Sequence, residues 1–585
     1  MKIIKSNAVK ASNSVGMLRM LDFGFILCFT LALILIAGAS NSTADLFSQQ
    51  SHGTIYYTSL SPANLTQTLN TTPVFTFISY STTNSTYSCA LYIDGTLHDE
   101  NSSVQNNTET TLTVNGTLAP GDHTWYINCT DASGTYSSGT RTIGIGGNFS
   151  RCAILVDSGT YYLNDSIINS SIPSCINITA NNVVLDCQGN TIDGNETTSY
   201  GIVMSGIVIS RDLEELTNIT IRNCTVTGWG GRAIYLRNAD GNTLENLVVE
   251  SESYLATVIY LLHSDNNSLS NISLSNLSMS ENGIKLEESD YNNLTDITII
   301  GSKYGVNIYY SDHTILKNVK VINNTNYDIY YFTKVNFMDC HSQFINVTGT
   351  DNKPIVFFNS SVHIQNWNNN VSEIILCGAD YSTIDNLTMN HTDKKNNGLI
   401  LIATKYTNIT NSVFANLYRG IYLGYNVYYP MYNKFANITV TDCDVGILLR
   451  YACSNTFENI TIANITSYGI YIDYTSHNNV FDKITVKNSE GIYFYNNLNN
   501  NFTNLRAENN TYGIYIIRSN SNTITNSTIL GNSKYGIYID SSSSNYIYNN
   551  LLNNSVNINF TGTIYQNNWN TTKQLGTNIY TNYYT

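Results

Sequence analysis

Charge is what this sequence has least of. Asp, Glu, Lys and Arg make up 12% of its 585 residues, against roughly 25% in an ordinary soluble domain. The net charge is -14, with 28 Lys+Arg and no basic cluster. Such a chain has little with which to neutralise a phosphate backbone or an anionic bilayer, so nucleic acid and the bare membrane surface are excluded as partners. Proline is also scarce, at 6 residues. No long segment carries an apolar period of 3.6, which excludes helical bundles and the strand-to-helix units of Rossmann and P-loop enzymes. The 11 Cys include no C-x-x-C pair and no Cys/His ligand spacing, so zinc and iron–sulfur sites are not expected, and no cofactor or metal is called for.

Asn, Ser, Thr and 44 Tyr stand where charge is missing, with Asn at roughly one residue in seven. The composition is that of a mostly β chain wetted by neutral hydrogen-bonding groups. Lys2, Lys5, Lys10 and Arg19 precede an apolar stretch from Phe23 to Ala39, ending Ala37-Gly38-Ala39. A segment of this kind directs a chain out of the cytoplasm, either cleaved after Ala39 or kept as an N-terminal anchor, and both fates stay open. The expected location is extracytoplasmic, at the cell surface or secreted, with the membrane touched only through residues 1–39.

Residues 40–54 read as a linker. From 55 to 147, short alternating runs are separated by turn signals such as Asp94-Gly95 and Pro120-Gly121-Asp122, which predicts a small β-sandwich. In Cys89-Ala-Leu91-Tyr-Ile93 and in Trp125-Tyr-Ile127-Asn-Cys129 the odd positions share one face, so Cys89 and Cys129 are the clearest disulfide pair of an exported chain. The connectivity of Cys152, Cys175 and Cys187 is left open. These runs resemble an Ig-like or fibronectin-like module, whose expected role is that of a spacer.

After Cys152 the chain repeats. Gly446-Ile-Leu-Leu, Gly469-Ile-Tyr-Ile, Gly491-Ile-Tyr-Phe, Gly513-Ile-Tyr-Ile and Gly536-Ile-Tyr-Ile are spaced by 23, 22, 22 and 23 residues. Nine residues after Gly, or ten after Gly469, comes a second landmark, as in Asn455-Thr-Phe457-Glu-Asn459-Ile460. A period near 22, dominated by β-branched residues and Asn without a helical stretch, predicts a parallel β-helix over 148–565 with a tail over 566–585. Residues at one register then form ladders about 4.8 Å apart. The first Asn recurs at 242, 267, 292, 433, 455, 479, 500, 522 and 545, and the second at 246, 271, 318, 386, 411, 437, 459, 504, 526 and 549.

These coils resemble the right-handed parallel β-helix repeats of the NosD-like and carbohydrate-binding/sugar-hydrolase families. The opening Cys152-Ala-Ile-Leu to Asp186-Cys187-Gln-Gly-Asn-Thr-Ile-Asp-Gly194 resembles the first coils of archaeal surface members. The stretch from Thr350 to Asn386 resembles the lateral excursion that NosD-like chains make between coils. The resemblance to NosD implies copper delivery, yet His341, His363 and His391 lack Met or Cys partners at repeat spacing. The enzymatic branch implies paired carboxylates, and Asp473 and Asp540 share a register three coils apart, about 14 Å, too far for a glycosidase pair. Asp473 is instead expected in a surface ion pair with Arg450, and Glu214-Glu215 and Glu287-Glu288-Asp290 in solvated turns.

What recurs on the expected outer face is aromatic. Tyr422, Tyr471, Tyr493, Tyr515 and Tyr538 stand two residues after Gly, opposite the inward aliphatics. They predict an exposed strip suited to sugar rings or a partner surface, without catalysis. The expected partner is a carbohydrate or surface polymer; a polysaccharide lyase or glycosidase and a purely structural envelope component are the alternatives. Asn-x-Ser/Thr sites in the second ladder (Asn271, Asn386, Asn437, Asn459) are expected to be enclosed, whereas Asn64, Asn70, Asn84, Asn101 and Asn570 are the glycan candidates.

Overall fold

The computed structural model describes residues 55–196, 204–210, 214–251, 257–332, 340–392, 395–424, 429–563 and 566–569. The apolar segment Phe23 to Ala39 and Asn570 lie outside them. Among the described residues no helix is long and apolar enough to cross a membrane. The chain divides into two units, 1–149 and 150–585.

In the first unit, strands Ile55–Ser61, Val74–Ser81 and Glu109–Thr113 form one antiparallel sheet. Thr86–Ile93 pairs on one side with Thr96–Gln105 and on the other with Gly121–Asp131. Period-two alternation turns Phe75, Phe77, Leu91, Ile93, Trp125 and Ile127 into a single core, all at 1% exposure or less. Cys89 and Cys129 sit directly opposite one another in the same sheet, with Cα atoms 4.0 Å apart, and are joined as a disulfide.

The second unit is a solenoid of parallel ladders. Ile207, Ile234, Ile259, Ile284, Val306 and Ile329 stack coil upon coil in its first half. Ile374, Leu399, Ile421, Ile447, Ile470, Ile492, Ile514 and Ile537 do so in its second. On another wall Phe435, Phe457, Phe481 and Phe502 form a buried pile with ring centroids 4.7, 4.7 and 4.2 Å apart. The landmark Gly answers a close approach between coils. A Cβ at Gly513 would stand 2.4 Å from the Gly536 carbonyl oxygen and 2.5 Å from Ile529 Cγ2, so any side chain there pushes two coils apart.

The two Asn ladders do different work. In the first, each backbone N–H donates to the side-chain Oδ1 of the next coil: Asn455 to Asn479 at 3.0 Å, Asn479 to Asn500 at 3.0 Å, Asn500 to Asn522 at 2.9 Å and Asn522 to Asn545 at 2.9 Å. All five are fully buried. The second ladder lies at corners whose φ is positive, 54° at Asn459 and 53° at Asn526, a left-handed conformation that Asn adopts at low cost. Contrary to the sequence reading, Asn271, Asn386, Asn437 and Asn459 are exposed. The turn holds their side chains on the surface, where each Nδ2 donates one hydrogen bond to the preceding coil, as from Asn459 to Asn437 Oδ1 at 2.9 Å. Of the glycan candidates outside that ladder, Asn64 and Asn70 are exposed and Asn84 and Asn101 are half-buried.

The predicted lateral excursion is not what the chain builds. Ile355–Phe358, His363–Gln365, Glu373–Cys377 and Thr383–Asp385 are stacked coils in parallel register. The irregularity lies just before them. Tyr327–Phe332 pairs with Tyr304–Tyr309 but not with Ile355–Phe358, so the ladder is interrupted there. Side chains bridge the break: Asp328 accepts from the Thr350 N–H at 2.6 Å, the Thr350 hydroxyl at 2.8 Å and Asn324 Nδ2 at 2.8 Å. Disulfides Cys152–Cys175 and Cys187–Cys224 close the opening coils, and Cys340–Cys377 spans the break. Cys443 and Cys453 are buried, and the Cys443 thiol donates to the Thr441 carbonyl at 3.3 Å.

Candidate functional site

The residue two after the landmark Gly, with Ile375 ahead of it where Glu373 stands in place of Gly, runs in one register along the second half: Ile375, Ile400, Tyr422, Leu448, Tyr471, Tyr493, Tyr515 and Tyr538. The first four are buried, and Tyr422 is only 1% exposed. This corrects the expectation of a surface tyrosine at 422. The chain at Gly424 runs across its ring, where a Cβ would meet Tyr422 Cε2 at 2.4 Å, and the Arg419 guanidinium lies 4.9 Å from the ring centroid.

Tyr471, Tyr493, Tyr515 and Tyr538 are half-buried and in ring contact, tilted at Tyr471–Tyr493 and edge to face at the next two pairs. Centroids are 5.0 Å apart for Tyr471–Tyr493, 5.2 Å for Tyr493–Tyr515 and 4.5 Å for Tyr515–Tyr538. A second row stands one residue before Gly: Tyr468 lies 4.8 Å from Tyr493, Tyr512 4.7 Å from Tyr515 and Tyr535 5.4 Å from Tyr538. Sequence reasoning missed this row, although Tyr-Gly-Ile-Tyr recurs at 468, 512 and 535. Burial raises the hydroxyl pKa of Tyr471, and pushes those of Tyr493 and Tyr515 up to about 12, so these phenols remain hydrogen-bond donors at any physiological pH. Lys534 Nζ donates to the Tyr512 hydroxyl at 2.7 Å.

An open groove of about 470 Å³ borders this sheet of rings, lined by Thr466, Glu490, Asn510, Thr511 and Ser533 among others. Glu490 is the one carboxylate lining it among the described residues. The remaining carboxylates are dispersed. Glu287 pairs with Lys285 at 2.7 Å and Glu288 with His263 at 3.4 Å. Asp240, Asp265, Asp290 and Asp312 form a ladder in which each carboxylate accepts the next backbone N–H, at 2.7, 2.6 and 2.8 Å.

The predicted surface pair of Asp473 and Arg450 is no surface pair. The Asp473 side chain is 0% exposed and accepts from Arg450 Nη2 at 2.7 Å and Nε at 3.1 Å, while Arg450 is 34% exposed. Burial raises the Asp473 pKa and outweighs the guanidinium beside it. Asp473→Asn is expected to cost about 2 kcal/mol of stability, below the ~3–5 of a fully buried pair because Arg450 reaches water. The shift of the denaturation midpoint measures it, and no shift would return the pair to the surface class.

Another aromatic stack escaped the sequence reading. Tyr381, Tyr406 and Tyr432 occupy left-handed corners and lie parallel with centroids 5.1 and 5.3 Å apart. They are 67%, 48% and 51% exposed. Stacking occupies both faces of Tyr406 and one face each of Tyr381 and Tyr432.

The histidines do not assemble as the sequence grouped them. His363 is exposed, and His391 is buried with Nδ1 3.2 Å from the Lys395 carbonyl oxygen. His341 stands beside Asp312 and His313.

Residues 427–585 match the family described as periplasmic copper-binding protein (NosD), and residues 205–374 match the right-handed β-helix region family. No curated protein is similar enough to match. Among solved structures, the catalytic domain of a GH87 alpha-1,3-glucanase in complex with nigerose is 13% identical, covers 69% of this chain and 86% of its own, and has a TM-score of 0.26. The Yersinia enterocolitica family 28 exopolygalacturonase is 9% identical over 88% of this chain and 98% of its own, with a TM-score of 0.23. The periplasmic alginate epimerase AlgG is 10% identical over 67% and 84%, with a TM-score of 0.25. Likenesses this slight carry no argument about chemistry.

Copper, which the family description names, can be tested against the donors in the matched span. Met431 and Cys453 are bridge partners on adjacent coils, and the His477 N–H reaches Cys453 Sγ at 3.5 Å. His477 Nδ1, however, accepts the Leu498 N–H at 2.9 Å, which places the neutral ring's proton on Nε2. The Cys453 thiol donates to the Thr475 carbonyl at 3.3 Å, and burial raises its pKa. These donors do not fit a copper centre.

Proposed function

For this NosD-like right-handed β-helix repeat protein, we propose a non-catalytic role at the cell exterior: binding carbohydrate through the tyrosine face of coils 468–540. The observation that carries the reading is the double row of seven half-buried rings in contact along four coils, bordered by a polar groove. Rings of this kind offer apolar area together with a fixed hydroxyl, and sugars present both C–H faces and hydroxyls. Because each ring already leans on its neighbours, little conformational entropy remains to be lost on binding.

The periplasmic description of NosD, the predicted export segment at 23–39 and the four disulfides agree with an extracytoplasmic setting. In that setting the first unit acts as an Ig-like spacer, and exposed Asn64 and Asn70 are sites for glycans.

The test is glycan-array retention of the full chain with a parallel reducing-end assay. Tyr515→Ala is expected to weaken retention by about 1 kcal/mol, roughly fivefold, and to cost a further ~1 kcal/mol of stability through its lost ring contacts. Retention unchanged in Tyr515→Ala, with turnover abolished by Glu490→Gln, would overturn the binding reading in favour of a polysaccharide-degrading enzyme. Absence of any retained glycan would leave the structural role.

A further inference from the structure

We propose that Asp312, His313 and His341 form a binding site for one borderline divalent transition-metal cation, of the Zn²⁺, Ni²⁺ or Cu²⁺ class. The site lies outside residues 427–585, and the sequence hides it because the coil between Asp312 and His341 is 29 residues long. His341 follows Asp312 in the ladder that descends through Asp290, since the His341 N–H donates to Asp312 Oδ1 at 2.9 Å just as the Asp312 N–H donates to Asp290 Oδ1 at 2.8 Å.

The donor geometry is that of a ligand set. His341 Nδ1 lies 2.7 Å and His313 Nδ1 3.0 Å from the same atom, Asp312 Oδ2. The three donor atoms all fall within 4.8 Å of one another. A metal with bonds of ~2.0–2.1 Å to nitrogen and oxygen sets neighbouring ligands ~2.9 Å apart in an octahedron and ~3.3 Å apart in a tetrahedron. The two Nδ1–Oδ2 separations fall close to that range, and rotation of the stacked imidazoles brings both nitrogens onto one ion. Two imidazoles and one carboxylate are the donors that divalent zinc, nickel and copper prefer, and they leave coordination positions open.

The site is also held in place. The Asp312 side chain is 6% exposed, anchored by the His341 N–H. His313 is stacked between the Tyr291 ring at 4.3 Å and the His341 ring at 4.5 Å. His341 adjoins Cys340, which is disulfide-bonded to Cys377. The His313 and His341 side chains are 37% and 57% exposed, so an ion can enter and its open positions face solvent. Binding through Nδ1 puts each neutral imidazole's one proton on Nε2, so the ion replaces the two Nδ1–carboxylate hydrogen bonds with no net release of protons.

The test uses the full chain without an affinity tag, stripped with chelator and titrated with Zn²⁺ by calorimetry and with Cu²⁺ by electron paramagnetic resonance. The parent is expected to take up one equivalent and to show coupling from two imidazole nitrogens. His341→Gln and His313→Gln are each expected to lower affinity at least about tenfold and to remove one nitrogen from the spectrum, with unchanged far-ultraviolet circular dichroism. Asp312→Asn keeps the acceptor for the His341 N–H while removing the charge, and is expected to weaken binding similarly. His363→Gln, at an exposed histidine elsewhere, is expected to bind as the parent does. A parent that takes up no stoichiometric metal, or uptake equal in the parent and in the His313→Gln/His341→Gln double variant, overturns the proposal and leaves the cluster as two imidazoles hydrogen-bonded to a carboxylate.

Discussion

Asn500→Ala is expected to destabilise the second half of the solenoid by about 3 kcal/mol, although it removes only a small polar side chain. Asn500 Oδ1 accepts both the backbone N–H and Nδ2 of Asn479 at 3.0 Å, and its Nδ2 donates to the Ser476 carbonyl at 2.9 Å and Asn497 Oδ1 at 3.1 Å. Asn479 Nδ2 keeps a second acceptor, the Ala452 carbonyl at 2.8 Å, whereas the buried Asn479 N–H loses its acceptor. An orphaned buried donor costs about 1–3 kcal/mol, and the other lost bonds about 1 kcal/mol each at most. Because coils stabilise one another only through neighbours, the loss should appear as faster hydrogen exchange in the coils on either side as well as in the denaturation midpoint. Asn459→Gly is the contrasting variant: it removes an exposed amide but keeps the left-handed corner, and a change within about 0.5 kcal/mol is expected. Equal losses from the two variants would show that the inner ladder is not what holds the coils.

Glu373→Gln is expected to do the opposite and stabilise the chain increasingly as pH rises. Glu373 is fully buried at the break in the ladder, with Oε1 accepting from Asn397 Nδ2 at 3.1 Å and no hydrogen-bond partner at Oε2 among the described residues. Burial and the Asp328 carboxylate raise its pKa well above the ordinary value. Burial raises Asp328 too, but its several donors favour its charged form and oppose that shift, whereas Glu373 accepts a single side-chain hydrogen bond and favours its proton more strongly. Below the free carboxyl's pKa of about 4.3 both folded and unfolded chains are protonated, and parent and variant should nearly coincide. Above it the unfolded chain releases a proton that the folded chain retains, so folded stability falls with pH by about 1.4 kcal/mol per unit until Glu373 itself ionises. Glutamine has no proton to release, and that slope is absent from the variant. Denaturant unfolding of both proteins from pH 4 to 8 measures the difference, and parallel curves would show that Glu373 is charged in the fold.

Several features were legible in the sequence because they follow from local periodicity. A 22-residue period with Gly and Asn at constant offsets is enough for a solenoid, since each coil can bury its aliphatics only against the next. Period-two alternation likewise placed Cys89, Trp125 and Cys129 on one inward face. The Tyr471, Tyr493, Tyr515 and Tyr538 register was readable for the same reason.

Exposure was not readable, because it depends on what crosses over a wall rather than on the wall's own period. Tyr422 and Asp473 share the register of solvent-facing positions, yet Gly424 and Arg419 cover the one, and the other is withdrawn against Arg450. The corners of the second Asn ladder look enclosed by pattern and are open, because positive φ turns their side chains outward.

By itself, then, the sequence determined the repeat, the residues on each ladder and the inward aliphatic face, since all three are matters of spacing along the chain. Only the tertiary structure decided which half of the tyrosine column meets solvent, that Asp328 and Glu373 are buried together, and that His341 comes to rest beside Asp312 and His313. Those juxtapositions depend on coil length, which varies from 18 residues between Ile355 and Glu373 to 36 between Leu185 and Ile221, and is 29 between Asp312 and His341. A longer or shorter loop changes which side chains meet without disturbing the ladder hydrogen bonds that set the fold.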